Sequence, residues 1–184
     1  LGATGVGNLD TTAVLDYIRE NCSINSIGFS QLSYTVSDLG QNTLTVTVKD
    51  VHNNTTVVTT DIWVVDLIDP NVKANDVILP LNASGTATVT LAQVDDNSSD
   101  NAGLDSLYID ASGYDCSDLG DHWVVLTGVD VAGNSDTAWS KVTVVDQIYP
   151  TMSISNAVLY LDSSSSAALS YADVDNGTYD NCGI

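Results

Sequence analysis

Short runs along this chain alternate apolar and polar residues with a period of two, the signature of strands that bury one face. At 123–127 the run is Trp-Val-Val-Leu-Thr, with Val124 and Leu126 in the inward positions. Trp123, Val125 and Thr127 then face outward. The run at 43–47 has the same arrangement, with Leu44 and Val46 inward and Thr43, Thr45 and Thr47 outward. Across 71–150 the alternation predicts strands at 77–79, 86–91, 104–109, 114–116, 123–129 and 137–145. In the second of these Val89 and Leu91 face inward, and a polar loop follows at 93–101. Between the two strongest runs lies Asp130-Val131-Ala132-Gly133-Asn134, with Gly where a hairpin turn needs positive φ. Asp50-Val51-His52-Asn53-Asn54 holds the same place earlier, with Asn as the next best residue for that backbone. One segment departs from strand patterning. Residues 10–21 fit a helical turn capped by Asp10, with Val14, Tyr17 and Ile18 on one face.

The runs recur because the chain repeats itself every 80 residues. Ser37-Asp38-Leu39-Gly40 returns as Ser117-Asp118-Leu119-Gly120, and Val64-Val65-Asp66 returns as Val144-Val145-Asp146. Pro70 returns as Pro150. Asn21-Cys22-Ser23-Ile24 returns as Asn101-Ala102-Gly103-Leu104 and again as Asn181-Cys182-Gly183-Ile184. Several short strands in each stride, separated by turn signals, predict an antiparallel sandwich of two sheets. The expected domains are 1–70, which lacks a first strand, 71–150, which is complete, and 151–184, the opening part of a third copy. The chain reads as a window cut from a longer array. Eighty residues bury roughly 60% of the unfolded surface, enough for one small core per copy. Tandem copies build length and multiplicity rather than one active site.

Charge narrows the partners. Twenty-four acidic residues against four basic ones give a net charge of −20. That sign argues against nucleic acid and anionic membranes, which need Lys and Arg, and it favours divalent cations. No apolar run is long enough to span a membrane. The wealth of Asn, Asp, Ser, Thr, Gly and Val suits an extracellular β-protein.

The stretch 174–184, Val-Asp-Asn-Gly-Thr-Tyr-Asp-Asn-Cys-Gly-Ile, is the most specific piece. With Cys116-Ser117-Asp118-Leu119-Gly120, the Asp-Val-Ala-Gly-Asn turn and the Val-Val-Asp ending, it resembles the tandem repeats of very large SprB-like gliding-motility adhesins of Bacteroidetes. The hairpin half is similar to hyalin-repeat (HYR) domains. The resemblance implies tandem immunoglobulin-like antiparallel β-sandwich domains in an elongated array. It also implies type IX secretion and a mobile cell-surface filament that grips a substratum. The partners so implied are surface polysaccharide or substratum, neighbouring repeats, and motility or secretion machinery reached through regions outside this chain. In the family pattern, the Cys of Asp-Asn-Cys-Gly pairs with a Cys 14 residues later. This chain departs from it, because Cys22 faces Val36 and Ala102 faces Cys116 at those positions. No disulfide is therefore expected among Cys22, Cys116 and Cys182.

Two kinds of site stand out. Asp95, Asp96, Asn97, Asp100 and Asn101 crowd one loop, and Asp173, Asp175, Asn176, Asp180 and Asn181 crowd its counterpart. Ca²⁺ takes six to eight oxygen ligands, so these loops are candidate Ca²⁺ sites, against the alternative of turns capped by their own side chains. The first copy has Asp16, Arg19 and Glu20 there, which predicts a weak site or none. Asp66, Asp69 and Asp146 lie at the junctions before Pro70 and Pro150, where Ca²⁺ can stiffen a stalk of domains, but they read rather as polar linker, and Asp50 and Asp130 as turn openers rather than metal ligands. The second candidate is an outward patch of Trp123, Val125, Trp139 and Lys141, with Trp63 in a similar row of the first copy. Exposed aromatics on a sheet stack sugars or meet neighbouring domains, or simply stabilise a hairpin. No catalytic constellation is legible: His52 and His122 have no repeated partner, and no phosphate-binding Gly loop is present. The expectation is a non-enzymatic adhesive filament segment. A carbohydrate-binding module and a self-assembling surface-layer subunit are the alternatives.

Overall fold

The computed structural model describes residues 1–15 and 18–184, and the chain is mostly β-sheet. Its strands are β1 (Val6–Asn8), β2 (Ile24–Phe29), β3 (Ser33–Thr35), β4 (Gly40–Asp50), β5 (Thr55–Val64), β6 (Val77–Pro80), β7 (Thr86–Thr88), β8 (Leu104–Ile109), β9 (Gly113–Asp115), β10 (Gly120–Asp130) and β11 (Ser135–Val145). Two one-turn helices, α1 (Thr11–Val14) and α2 (Leu91–Val94), and three 3₁₀ turns complete the described elements. The chain forms two compact units, one of residues 1–73, 96–108 and 127–138, the other of 74–95, 109–126 and 139–184.

In the first unit β1 pairs with β3, and β2, β4 and β5 form an antiparallel sheet in that order. The register sets Leu44 opposite Thr60 and Val46 opposite Val58. Leu44 and Val46 are buried, as alternation requires of inward positions. The β4–β5 hairpin closes on Asp50, whose Oδ1 accepts from the backbone N–H of His52 and Asn54, each at 2.8 Å. Asn53 takes the positive φ of 71°.

In the second unit β7 pairs antiparallel with β9, and β6 lies parallel to β11 with Val77 beside Val142 and Leu79 beside Val144. These four side chains are buried together with Leu81, Val89, Val94, Val124 and Leu126. In this unit β11 lies between β6 and β10. The turn from β10 to β11, which belongs to the first unit, repeats the earlier wiring: Asp130 Oδ1 accepts from the N–H groups of Ala132 and Asn134, each at 2.8 Å, and Gly133 takes φ of 92°. Isolated bridges join Asn71 to Ser99 and Thr151 to Tyr179, one stride apart.

Three expectations change. The strand at 86–91 stops at Thr88, and α2 takes over from Leu91. The cause is a capping box: the Thr90 N–H and hydroxyl both donate to Gln93 Oε1 at 2.9 Å. The helical turn at 10–21 is shorter, spanning Thr11–Val14, and Asp10 caps it by accepting from the Thr12 N–H at 2.9 Å. Tyr17, assigned to its apolar face, lies outside the described residues, as does Asp16. Finally, Cys116 and Cys182 form a disulfide, with Cα atoms 5.2 Å apart. The expectation of no disulfide among these cysteines is overturned. The partner of Cys116 is supplied 66 residues later, by the next stride, instead of 14 residues earlier. Cys22 is free and exposed.

Candidate functional site

Three elements of the first unit bring carboxylates together. Asp66 follows the end of β5, Asp100 opens the turn before β8, and Asp130 ends β10. One carboxylate oxygen from each lies within 4.8 Å of the others. Asp66 is only 4% exposed and Asp130 only 2%. The donors that reach them are neutral amides. Asn101 Nδ2 donates to Asp66 Oδ2 at 2.8 Å, and Asn134 Nδ2 donates to Asp130 Oδ2 at 2.7 Å. Asn134 Nδ2 also reaches the carbonyls of Asp66 and Ile68, at 3.2 and 3.3 Å, so one amide ties the turn to the segment after β5. Asp100 Oδ1 accepts from the N–H groups of Ala102 and Gly103, at 2.8 and 3.1 Å.

Two oxygens are left over. Asp100 Oδ2 and Asn101 Oδ1 are buried and have no hydrogen-bond partner. Buried acceptors without donors are costly, and a native chain keeps them only where something compensates. Two like charges this close repel by about 3 kcal/mol at an effective dielectric near 20. Burial pushes Asp130 up, but the donations from Asn134, Ala132 and Gly133 outweigh it and hold the carboxyl below the usual aspartate range. The charged form is thus the one the turn is built around.

The same leftover oxygens recur one stride on, in the second unit. Asp180 Oδ2 and Asn181 Oδ1 are buried without partners, while Asp180 Oδ1 accepts from the Cys182 N–H at 3.0 Å. Asp146 Oδ1 accepts from the Ile148 N–H at 3.0 Å, as Asp66 Oδ1 does from Ile68 at 3.3 Å.

Each Asn loop also packs on a glycine of the preceding stride. A Cβ on Gly5 would lie 2.6 Å from the Asn101 carbonyl oxygen. A Cβ on Gly85 would lie 2.7 Å from the Asn181 carbonyl oxygen and 2.6 Å from Cys116 Sγ. Both glycines have φ of 69°. Only glycine meets both demands at once.

The acidic loops divide. Of the first, Asp100 and Asn101 join the carboxylate cluster. Asp95 instead bridges Ala74, the exposed Asp96 donates its N–H to the Lys73 carbonyl, and the exposed Asn97 takes φ of 57°. In the second loop Asp173 caps its own 3₁₀ turn by accepting from the Ser170 N–H at 2.8 Å. Asp175 accepts from the Thr178 N–H at 3.0 Å, and the Asn176 carbonyl accepts from the Ser153 hydroxyl at 2.9 Å. Asp173 and Asp175 thus satisfy their own backbone. Asp66 and Asp130, assigned from sequence to linker and turn, are the members that the spacing of a single loop could not indicate. Their signal was the exact-stride return of Val-Val-Asp and of the Asp-led turn.

The aromatic patch is outward. Trp123 and Trp139 are each 62% exposed and Trp63 is 69% exposed. Val125 and Lys141 are half-buried. Lys141 Nζ pairs with Asp121 Oδ2 at 3.5 Å, and the Thr143 hydroxyl donates to Asp121 Oδ1 at 2.6 Å. His122 packs its ring on Tyr114 at 5.3 Å, with Nε2 2.6 Å from the Asp118 carbonyl oxygen.

No family model and no curated protein matches the chain. Among solved structures, an endo-fucoidan hydrolase from glycoside hydrolase family 107 aligns with a TM-score of 0.27 and 18% identity, over 68% of this chain and 23% of that one. Mouse clustered PcdhgC3 EC1-3 aligns with a TM-score of 0.32 and 14% identity, over 69% of this chain and 50% of that one. The chain therefore spans half or less of the length of these structures, and likeness at this level carries no conclusion about activity.

Proposed function

We propose that this chain is a repeat segment of a very large adhesive filament at the cell surface, used in surface attachment and gliding. Its copies follow 1–70, 71–150 and 151–184 as tandem immunoglobulin-like sandwiches, exported by type IX secretion. The observation that carries the reading is the recurring seat of an Asn loop on the glycine of the preceding stride, Asn101 on Gly5 and Asn181 on Gly85. A contact that recurs with the stride links each copy to the next, and a linear array of such copies transmits force and sets distance. No catalytic role enters this reading. Its partners are surface polysaccharide or substratum, neighbouring repeats and, through other regions, the motility machinery.

Beads coated with the chain are expected to hold to polysaccharide-coated glass under flow better than uncoated beads. Retention equal to that of uncoated beads would refute the adhesive role of this segment. A second reading, a carbohydrate-binding module, draws on the exposure of Trp123 and Trp139 beside the hydrogen-bonding groups of Asp121 and Lys141. Replacing both tryptophans by Ser is expected to leave the melting temperature within a few degrees and to lower glycan-array signal at least tenfold. Unchanged signal would place any sugar contact elsewhere.

A further inference from the structure

We propose that Asp66, Asp100 and Asp130, with Asn101 Oδ1, form a Ca²⁺ site in the first compact unit. The inference stands apart from the adhesive reading, since it concerns an ion and not a substratum. Two observations converge, and the second brings in Asn101, a residue outside the carboxylate cluster. Three carboxylate oxygens, two of them from nearly inaccessible residues, lie within 4.8 Å of one another and receive only neutral amide donors. Beside them, Asp100 Oδ2 and Asn101 Oδ1 are shielded from water and accept no hydrogen bond. A cation answers both at once: it neutralises the charges, and it occupies lone pairs that no donor reaches.

The ligand chemistry selects the ion. All the groups are oxygens, carboxylate and amide, which suit hard cations and offer nothing to metals that seek nitrogen or sulfur. At the centre of a triangle with edges of at most 4.8 Å, an ion lies no more than roughly 2.8 Å from each corner. Small adjustments bring that to the 2.3–2.6 Å or so of Ca²⁺–oxygen contacts. Mg²⁺ demands about 2.0–2.1 Å in a strict octahedron and holds its waters, so a buried ring of protein oxygens suits it poorly. The amide of Asn134 orients Asp130 as an outer partner of a metal site does, while Asn101 donates to Asp66 through Nδ2 and keeps Oδ1 for the ion. The loop residues Asp95 and Asp96 take no part.

The test is calorimetry and thermal melting of the 184-residue chain, stripped with chelator and titrated with Ca²⁺ to about 10 mM, since extracellular Ca²⁺ modules bind at roughly 0.1–1 mM. The expected result is saturable binding with a melting temperature raised by roughly 5 °C. Asp66→Asn and Asp100→Asn each keep the side-chain shape and should weaken binding at least tenfold, whereas Asp95→Asn with Asp96→Asn should leave it within twofold. Hydrogen exchange of the unaltered chain gives a readout independent of any variant's folding: Ca²⁺ should slow exchange at Ala102, Gly103 and Asn134 at least tenfold. The proposal is overturned by absence of heat and of any melting shift. It is equally overturned by Asp66→Asn and Asp100→Asn that bind like the original chain, by protection confined to 95–97, or by Mg²⁺ binding as tightly as Ca²⁺.

Discussion

Single residues decide where strides can meet. Gly85 combines a positive φ with a neighbourhood closed by Asn181 and Cys116. Gly85→Ala is therefore expected to cost about 1–3 kcal/mol from backbone conformation, with steric displacement added. Gly113, which has nothing within 4 Å of an added Cβ, supplies the control. Thermal melting should separate the two, and equal melting temperatures for both alanine variants would contradict the close approach. At this scale the sequence is legible wherever a requirement is local. Gly133 and Asn53 announce their turns because positive φ restricts the residue type, and both take it. Gly5 and Gly85 announce nothing comparable, because what demands them is a carbonyl 96 positions further along.

At the scale of elements, the long strands β4, β10 and β11 were readable because period-two alternation extends over many residues in each, whereas β5 pairs its apolar and polar residues two by two and is exposed along most of its length. The short ones were less so. The run at 86–91 alternates as a strand does, yet Thr90 and Gln93 close a capping box that turns the chain into α2. Ser170 and Asp173 repeat this one stride later, and Asp10 starts α1 one stride earlier. A period-two reading passes over such boxes because their signal is a spacing of three. The disulfide was illegible for a different reason. The family spacing of 14 residues lies inside a stride, whereas Cys116 and Cys182 belong to successive ones. Labelling thiols under denaturing, non-reducing conditions should modify Cys22 alone; three modified cysteines would exclude the bridge. Closing a loop of 66 residues constrains the unfolded chain by about 4 kcal/mol, so reduction should lower the melting temperature of the second unit.

For the whole molecule, a net charge of −20 sets two opposing trends as pH falls. Neutralising carboxylates relieves mutual repulsion. Against this, many native aspartates sit below their ordinary value of 3.8. Asp50 is held down chiefly by the Asn54 amide, Asp115 by the Ser117 hydroxyl and Asp121 by the Thr143 hydroxyl. The backbone N–H of Ser170 does the same for Asp173. A carboxyl with a lowered native pKa binds fewer protons folded than unfolded. Its contribution is complete above about pH 4 and is lost as pH falls through the native value. With so many lowered groups this loss prevails, and the melting temperature should drop as pH falls from about 4 to about 2.5. A melting temperature that rises over that interval would show repulsion to be the larger effect. The carboxylate cluster was only half legible at this scale: Asp100 lay in a suspected loop, while Asp66 and Asp130 come from distant segments that the fold assembles. The sulfur bridge has a mechanical consequence of its own. Were the chain pulled from its two ends, the backbone between Cys116 and Cys182 could not lengthen while the bond held. About 230 Å of contour would remain in reserve, released only by a reductant.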